Sequence, residues 1–265
     1  MTTKGKIILA VLAAGALLAG AAGFVAGRYY IDNKKPNFSE KYVLYVRPEM
    51  SVAEVMDSLQ AGAGTVRPKS VERAFAKMEM DANMKPGRYV VDSTSTSIYV
   101  ARMLVYGWQT PQNMTLSGTL RKKDRIAQRI SSQMMVDSAS VADALNDEAF
   151  LAEYGFTPEN VFALIIPDTY EMYWTASVKD IIDRSKKEYD VFCTSARKEK
   201  AKAQGLSPMQ VSVMASIVSG ETLKAFEYPI IAGVYLNRYK KGMKLQADPT
   251  IAFCYDYTLD RILKK

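Results

Sequence analysis

The first strong pattern along the chain is an uncharged apolar run, residues 7–27, which is rich in Ala, Leu, Ile and Val. About 20 apolar residues are the length of an α-helix that crosses the hydrocarbon core of a bilayer. We therefore predict a transmembrane helix at 7–27, with residues 1–6 in the cytoplasm because Lys4 and Lys6 favour that side. A cleaved signal peptide is the alternative, since residues 19–22 are small enough for a signal peptidase.

A small folded unit is predicted after the apolar run. Residues 28–40 are polar and rich in helix breakers, which is typical of a linker. The next stretch, 41–93, has strand and helix patterns and a capping box at Ser51 and Glu54. We expect strands at 42–46 and 88–91 and helices at 51–60 and 70–80. This βααβ order resembles the LysM-type fold, which is associated with peptidoglycan binding.

The remaining residues, 94–265, carry mainly helical periodicity. We expect helices at 97–106, 121–130, 140–154, 178–203 and 208–222, a strand at 112–116 and a buried segment at 162–166. The final residues, 261–265, lack a cap or a terminal Gly, so this stretch is predicted to stop within a helix. The predicted fold class is α+β: an N-terminal transmembrane helix, a small βααβ unit and a C-terminal α/β domain.

The helix predicted at 208–222 carries the candidate catalytic carboxylate. Ser207 is a predicted N-cap and Gln210 completes a capping box. Apolar positions recur with helical spacing, and Glu221 falls about 20° from Met214 on the same face. A carboxyl group at the end of an apolar stripe is expected to be desolvated, which raises its pKa and suits a general acid. The alternative is a Glu221 side chain that turns to water at a helix end.

A second helix and a polar turn follow Glu221. Pro229 is expected to open the helix, Asn237 and Arg238 lie near its end, and Gly242 stops it. Gln, Asp and Thr in the next turn, 245–250, could hydrogen-bond sugar hydroxyls. Asp-Pro is equally a common opener of turns, so a structural role stays open.

Composition narrows the possible chemistry. The 265 residues include no His, which leaves carboxylates, Tyr and Lys for acid–base work and removes the usual metal ligand. No metal or cofactor is expected. The net charge of +7 is not accompanied by a nucleic-acid-binding motif, so no nucleic acid is expected. Cys193 and Cys254 lack the CxxC spacing of a redox or metal site, and they are assigned no chemistry.

Three blocks near the end of the chain resemble the YceG-like (MltG) endolytic murein transglycosylases. The blocks are Ala215-Ser-Ile-Val-x-x-Glu221-Thr222, Ile231-Ala-Gly-Val-Tyr-Leu-Asn237-Arg238 and Gly242-Met-x-Leu-Gln246-x-Asp248-Pro249-Thr250. A fourth block, Ile166-Pro-Asp-Thr-Tyr170, is similar to the Phe-Pro-Asp-Thr-Tyr block of the same family. The apolar N-terminal run and the LysM-like unit agree with the family's layout, and residues 94–265 correspond to its catalytic domain.

The resemblance implies an enzyme that cleaves the bond between N-acetylmuramic acid and N-acetylglucosamine in nascent peptidoglycan strands. Glu221 matches the family's catalytic acid, and its action as acid and then base gives 1,6-anhydro ends and stops strand elongation. The implied substrate-binding residues are Thr222, Asn237, Arg238, Gln246, Asp248 and Thr250. The resemblance also implies an inner-membrane protein with a periplasmic catalytic domain and penicillin-binding proteins as partners.

Two alternatives stay open for the activity. One is a hydrolytic glycosidase, which needs a second carboxylate beside Glu221, either Asp248 or Glu227. The other is a membrane-anchored peptidoglycan-binding protein without catalysis. Ser219 stands where the family has a glutamate, which removes a like charge near Glu221. The resemblance also implies roughly 80 further residues in family members, so we expect an incomplete catalytic domain and weak activity from this stretch alone.

Overall fold

The computed structural model describes residues 3–118, 120–255 and 257–258, so the predicted helical stretch at 261–265 lies outside the described residues. The chain forms two compact units, one comprising Met1–Gln112 with Tyr173–Thr175 and the other comprising Asn113–Met172 with Ala176–Lys265. Helices and short strands occur in both units, in agreement with the predicted α+β class.

The first unit contains five helices and two strands within its described residues. They are α1 (Thr3–Lys34), β1 (Tyr42–Val46), α2 (Val52–Gly62), α3 (Pro68–Lys77), α4 (Met80–Asn83), β2 (Gly87–Val91) and α5 (Ser97–Tyr106). The predicted strands and the capping box of α2 are confirmed, with Ser51 and Glu54 bonded reciprocally. The strands pair antiparallel, with Leu44 opposite Tyr89. Two helices were predicted between the strands, and the structure has three, because the short helix α4 follows α3.

Helix α1 occupies the first part of the linker predicted at 28–40. The helix continues without a break to Lys34, and its segment Leu12–Lys34 is long and apolar enough to cross a membrane. Beyond its end, Asn37 and Phe38 are buried. The Asn37 side chain donates to Ser97 Oγ at 2.8 Å and accepts from the Arg67 amide. Residues that look like breakers in the sequence are therefore fixed by buried hydrogen bonds.

Helix α5 belongs to the first unit, although the sequence analysis assigned residues 94–112 to the catalytic domain. Its apolar face, including Val100 and Leu104, is fully buried in the same core as Leu59 and Tyr89. A boundary at residue 93 would cut through this core, and the division falls at Gln112 instead. Burial of the α5 side chains explains the difference, because each large apolar residue contributes about 1.5–3 kcal/mol.

The second unit is mainly helical. Its elements are β3 (Gln112–Leu116, from the junction), α6 (Lys123–Ser131), α7 (Ser138–Ala144), α8 (Glu148–Ala152), β4 (Asp168–Met172), α9 (Val178–Phe192), α10 (Ser195–Ala203), α11 (Pro208–Glu221), α12 (Tyr228–Lys240) and α13 (Asp248–Cys254), with 3₁₀ turns at Val161–Ala163 and Ala225–Glu227. Strands β3 and β4 form a two-stranded sheet.

Two helices predicted in the second unit are each divided. The single helix expected at 178–203 breaks at Cys193, and Thr194 then caps α10 by accepting from the Arg197 amide. The helix expected at 140–154 is replaced by α7 and α8, which Asp137 and Asp147 cap. In each case a side chain that accepts from a backbone N–H begins a new helix.

Candidate active site

Helix α11 starts where it was predicted, at Pro208, and ends at Glu221, one residue before the predicted end. Ser207 Oγ accepts from the Gln210 amide, and the Gln210 side chain accepts from the Ser207 amide, which completes the capping box. Met214, Ile217 and Val218 are buried, whereas Val211 at the first turn is exposed. The helix ends at Glu221 because Thr222 is extended (φ −148°, ψ 152°). The end of α11 thus presents Glu221 beside the start of an irregular loop.

The Glu221 carboxylate is exposed, so its expected burial at the end of the apolar stripe is wrong. The next residue but one, Leu223, is 96% exposed, so the loop that follows α11 is open to water. The alternative of a helix-end carboxylate open to water agrees with this exposure. Glu221 nevertheless has a fixed partner from α12.

Tyr235 holds Glu221. Its hydroxyl donates to Glu221 Oε1 at 2.7 Å, and its ring is buried between α11 and α12 beside Met214 and Ile217. Burial, then the hydrogen bond to Glu221, raises the pKa of Tyr235 to about 12. The phenol is therefore a protonated donor at neutral pH. The neutral Tyr235 hydroxyl therefore orients the Glu221 carboxylate through Oε1, and Oε2 takes no part in this bond.

This role of Tyr235 is not evident from the sequence. Helical periodicity classified Tyr235 only as an apolar position, because its ring does belong to the core. The contact joins residues 14 apart on two helices, so no short-range pattern predicts it. The available signal was that a buried Tyr usually needs a partner for its hydroxyl.

Arg238 stabilises the loop between α12 and α13. Its Nη1 donates to the Leu245 carbonyl at 2.6 Å, to the Lys244 carbonyl at 3.2 Å and to Gln246 Oε1 at 3.2 Å. These bonds hold Gln246 in a left-handed conformation (φ 53°) with its side chain exposed. The arrangement gives Arg238 a positioning role in this loop.

The predicted turn at 245–250 is in part the start of α13. Thr250 Oγ1 donates to the Ala247 carbonyl at 2.6 Å, and Asp248 is the first, exposed residue of the helix. Pro249 packs so closely on α11 that a Cβ on Gly220 would lie 2.8 Å from its Cγ. The charges of Asp248 and Arg238 both act on the pKa of Tyr235. Only Glu221 among these charged residues has a described hydrogen bond to the Tyr235 hydroxyl.

The other predicted site residues are less closely joined. Thr222 Oγ1 donates to Glu227 Oε2 at 2.6 Å, and Lys224 Nζ lies 3.7 Å from Glu227 Oε1. Asn237 is exposed on α12. Ser219, at the position of the family glutamate, donates to the Ser216 carbonyl of its own helix at 3.0 Å. Thr222 and Glu227 thus form a local loop contact beside the Glu221–Tyr235 pair.

Neither a metal site nor a disulfide is found among residues 3–118, 120–255 and 257–258. These residues hold no group of three or more His, Cys, Asp or Glu side chains that could bind a metal ion. Cys193 is a buried free thiol and Cys254 an exposed one.

Comparison with known proteins identifies a family. The model of the YceG-like family matches residues 44–265. An endolytic murein transglycosylase of Streptococcus pneumoniae is 25% identical over 89% of this chain and 48% of its own length. Another, from Bacillus subtilis, is 29% identical over 53% of this chain and 43% of its own length. The chain spans about half the length of the curated relatives it matches.

A solved structure shares the fold. The 2.6 Å crystal structure of a yceG-like protein from Listeria monocytogenes matches with a TM-score of 0.51 and 24% identity, over 85% of this chain and 78% of that one. At this identity the likeness concerns the fold alone. The family model, by contrast, extends over most of the chain and includes every residue of the candidate site. The chain belongs to the YceG-like family.

Proposed function

We propose that this protein is an endolytic murein transglycosylase in which Glu221 is the general acid and base. The observation that carries the proposal is the Glu221 carboxylate at the end of α11, exposed and held at 2.7 Å by the buried Tyr235 hydroxyl. It lies in a chain of the YceG-like family whose curated relatives are named endolytic murein transglycosylases. An exposed carboxyl group with one fixed oxygen can reach a polymeric substrate.

The proposed reaction uses one carboxyl group twice. Protonated Glu221 donates its proton to the glycosidic oxygen between N-acetylmuramic acid and N-acetylglucosamine as the bond to the anomeric carbon breaks. The resulting carboxylate then takes the proton of the muramic acid 6-hydroxyl, whose oxygen bonds to the anomeric carbon. Glu221 is protonated again, the product has a 1,6-anhydro end, and no water is consumed.

Tyr235 has a positioning role in this proposal. Its hydroxyl donates to Oε1, so Oε2 is the oxygen that exchanges protons with the sugar. Because the pKa of Tyr235 is raised to about 12, the phenol keeps its proton throughout the reaction at neutral pH. The hydrogen bond stabilises the ionised carboxylate that exists between the two proton transfers.

The loop and helix around this pair form the proposed sugar-binding surface. Asn237, Gln246 and Asp248 are exposed and supply amide and carboxylate groups for sugar hydroxyls. Arg238 and Thr250 act on the sugar indirectly, through the backbone carbonyls to which they donate. Thr222 belongs to the same surface and is oriented by Glu227.

We also propose that α1 anchors the protein in the inner membrane, with residues 1–6 in the cytoplasm and the residues that follow α1 in the periplasm. The length and hydropathy of Leu12–Lys34 support the anchor. In this setting the enzyme acts on nascent strands beside penicillin-binding proteins and ends their elongation. The small βααβ unit predicted at 41–93 contributes a LysM-like contact with the glycan.

The test is cleavage of purified glycan strands by the membrane-reconstituted protein, with product masses. We expect fragments that end in 1,6-anhydro-N-acetylmuramic acid. Glu221→Gln should lower the rate by at least about 10²-fold with little change in melting temperature, because the amide keeps the size of the side chain but transfers no proton. Glu199→Gln, at an exposed position of α10, is the matched control and should leave the rate unchanged.

The product masses also separate the two alternatives. Fragments heavier by one water would indicate hydrolysis, and Asp248→Asn and Glu227→Gln would then identify the second carboxylate. Binding of glycan with no product from the unchanged protein would indicate a non-catalytic wall-binding protein. A near-normal rate for Glu221→Gln would overturn the role of Glu221.

A further inference from the structure

Helix α1 enters the first unit without a spacer. Asp32 on α1 accepts from Arg73 Nε at 2.9 Å and from Ser70 Oγ at 2.6 Å, and both partners lie on α3. Further along α3, the Lys77 ammonium lies 6.0 Å from the Tyr29 ring. Helix α3 therefore runs antiparallel to α1, and its C-terminal end is level with Tyr29. Tyr29 is only two residues, or about 3 Å, beyond the apolar run.

Helix α5 points in the same direction as α3. At its start, Thr96 pairs with Pro36, and Ser97 Oγ accepts from the Asn37 side chain just above the end of α1. At its end, the Leu104 carbonyl accepts from the amide of Lys85, which follows α3 and α4 in the chain. The C-terminal end of α5 is thus at the same end of the unit as Lys77.

Two exposed aromatic side chains, Tyr106 and Trp108, lie at this end, and Trp108 reaches back to Tyr99 in the first turn of α5. Trp108 packs against Tyr106 with ring centroids 5.4 Å apart and against Tyr99 at 6.2 Å, and all three are about half exposed. Arg102 lies on the same face of α5. A groove of about 530 Å³ is lined by Tyr99, Arg102, Trp108, Asn33 of α1 and the polar residues Asp92 and Thr94–Thr96 that precede α5. We call Tyr99, Arg102, Tyr106 and Trp108 the aromatic end surface.

We propose that the aromatic end surface lies in the lipid headgroup layer of the membrane that α1 crosses. The proposal rests on the anchor proposed above. The headgroup layer adds about 5–8 Å on each side of the hydrocarbon core, and the end of α3 begins within that distance of Gly27. Trp and Tyr are enriched at this depth because their rings are apolar and their N–H or O–H groups reach water.

Charge and shape support the same partner. Beside the exposed acidic residues Glu79 and Asp81, which follow α3, Arg102 and Lys77 are cationic groups that anionic headgroups can attract. Their aliphatic stems can lie along apolar surface while the charges stay hydrated. The unit is therefore held by α1 and by a second contact, which restricts its rotation about the helix axis and fixes which face points away from the membrane.

Trp108 itself reports on this contact. The chain has two tryptophans, and Trp174 is 5% exposed, so Trp174→Phe leaves Trp108 as the only tryptophan, which is excited selectively at wavelengths where tyrosine does not absorb. The protein is placed in lipid nanodiscs with nitroxide-labelled lipids, the label either in the headgroup layer or deep in the acyl region. We expect Trp108 to be quenched by the headgroup label at least about twofold more than by the deep label, with a blue-shifted emission.

Two other reporters, both with Trp108→Phe and Trp174→Phe, complete the test. Val66→Trp lies just before the start of α3, about 15 Å from the C-terminal end of that helix. Its fluorescence should be quenched by aqueous acrylamide but by neither lipid label. Leu17→Trp on α1 should respond to the deep label, which tests the anchor separately. Trp108 quenching like that of Val66→Trp, or greater quenching by the deep label, would overturn the proposal while Leu17→Trp still reported a membrane helix.

Discussion

At the scale of single residues, the pair formed by Glu221 and Tyr235 gives the most direct prediction. Tyr235→Phe removes the hydroxyl that lies 2.7 Å from Glu221 Oε1 and keeps the buried ring. We expect kcat for glycan cleavage to fall about tenfold or more with KM nearly unchanged, because Glu221 loses its orientation and not its substrate contacts. The measurement is the rate of anhydro-end formation against glycan concentration.

Tyr239→Phe is the matched control for this change. Tyr239 lies one turn further along α12, and its hydroxyl only accepts from Gln210 Nε2 at 3.3 Å. Its removal should leave kcat within about twofold, since that bond is exposed and weak. Equal effects of the two changes on kcat would show that α12 responds to any lost hydroxyl, and Tyr235 would have no specific role.

The pH dependence of stability offers a second readout of Tyr235. Its pKa is raised from 10.0 to about 12, so folding favours the protonated phenol. The contribution to stability is complete below pH 10 and is lost as the pH rises towards 12. The unchanged protein should therefore lose more stability than Tyr235→Phe in that interval, as measured by urea unfolding at each pH.

At the scale of helices and strands, the sequence predicted those features that depend on neighbouring residues. The capping boxes at Ser51 and Ser207 were predicted because their partners lie three residues away. The sequence did not predict the break of the 178–203 helix at Cys193. It also did not predict that α5 belongs to the first unit. These features depend on which apolar faces meet across the fold, and periodicity gives the face of a helix without giving its partner.

Gly220 illustrates a helix contact that the sequence did not predict. A Cβ at this position would lie 2.8 Å from Cγ of Pro249, so Gly220→Ala must displace α13 from α11 next to Glu221. We expect a lower melting temperature and at least about a tenfold loss of cleavage, despite the helix propensity of Ala, because the rigid proline ring cannot turn away. Thermal unfolding and the cleavage assay measure the two effects.

Gly233→Ala is the control on α12. No atom outside its own helix backbone and adjacent residues lies within 4 Å of the added Cβ, so only the helix propensity changes. This variant should be more stable by about 0.5–1 kcal/mol and should cleave glycan normally. Stabilisation by both substitutions would mean that α11 and α13 are not in close contact in solution.

At the scale of the whole molecule, α1 is part of the first folded unit and not a tether. The bonds from Asp32 to Ser70 and Arg73 couple the direction of α1 to α3. The sequence predicted the apolar run from its length, yet it gave a linker where these buried contacts occur. The polar sequence at 32–37 is compatible with either a linker or a buried hydrogen-bond network. The hydrogen-bond partners that decide between them are 30 to 60 residues away in the chain.

The orientation of α1 gives the last prediction, and the native thiols provide its probe. Cys254 is exposed and Cys193 is buried, so a membrane-impermeant maleimide should label Cys254 in intact spheroplasts after mild reduction. A Lys6→Cys variant with Cys193→Ser and Cys254→Ser should be labelled only after the membrane is permeabilised. These results would put residues 1–6 in the cytoplasm and the second unit outside, where glycan strands occur.

The reverse pattern would contradict the orientation and remove the second unit from its proposed substrate. The control is a pair of single variants. Labelling that is lost in Cys254→Ser and retained in Cys193→Ser would identify Cys254 as the thiol that reacts.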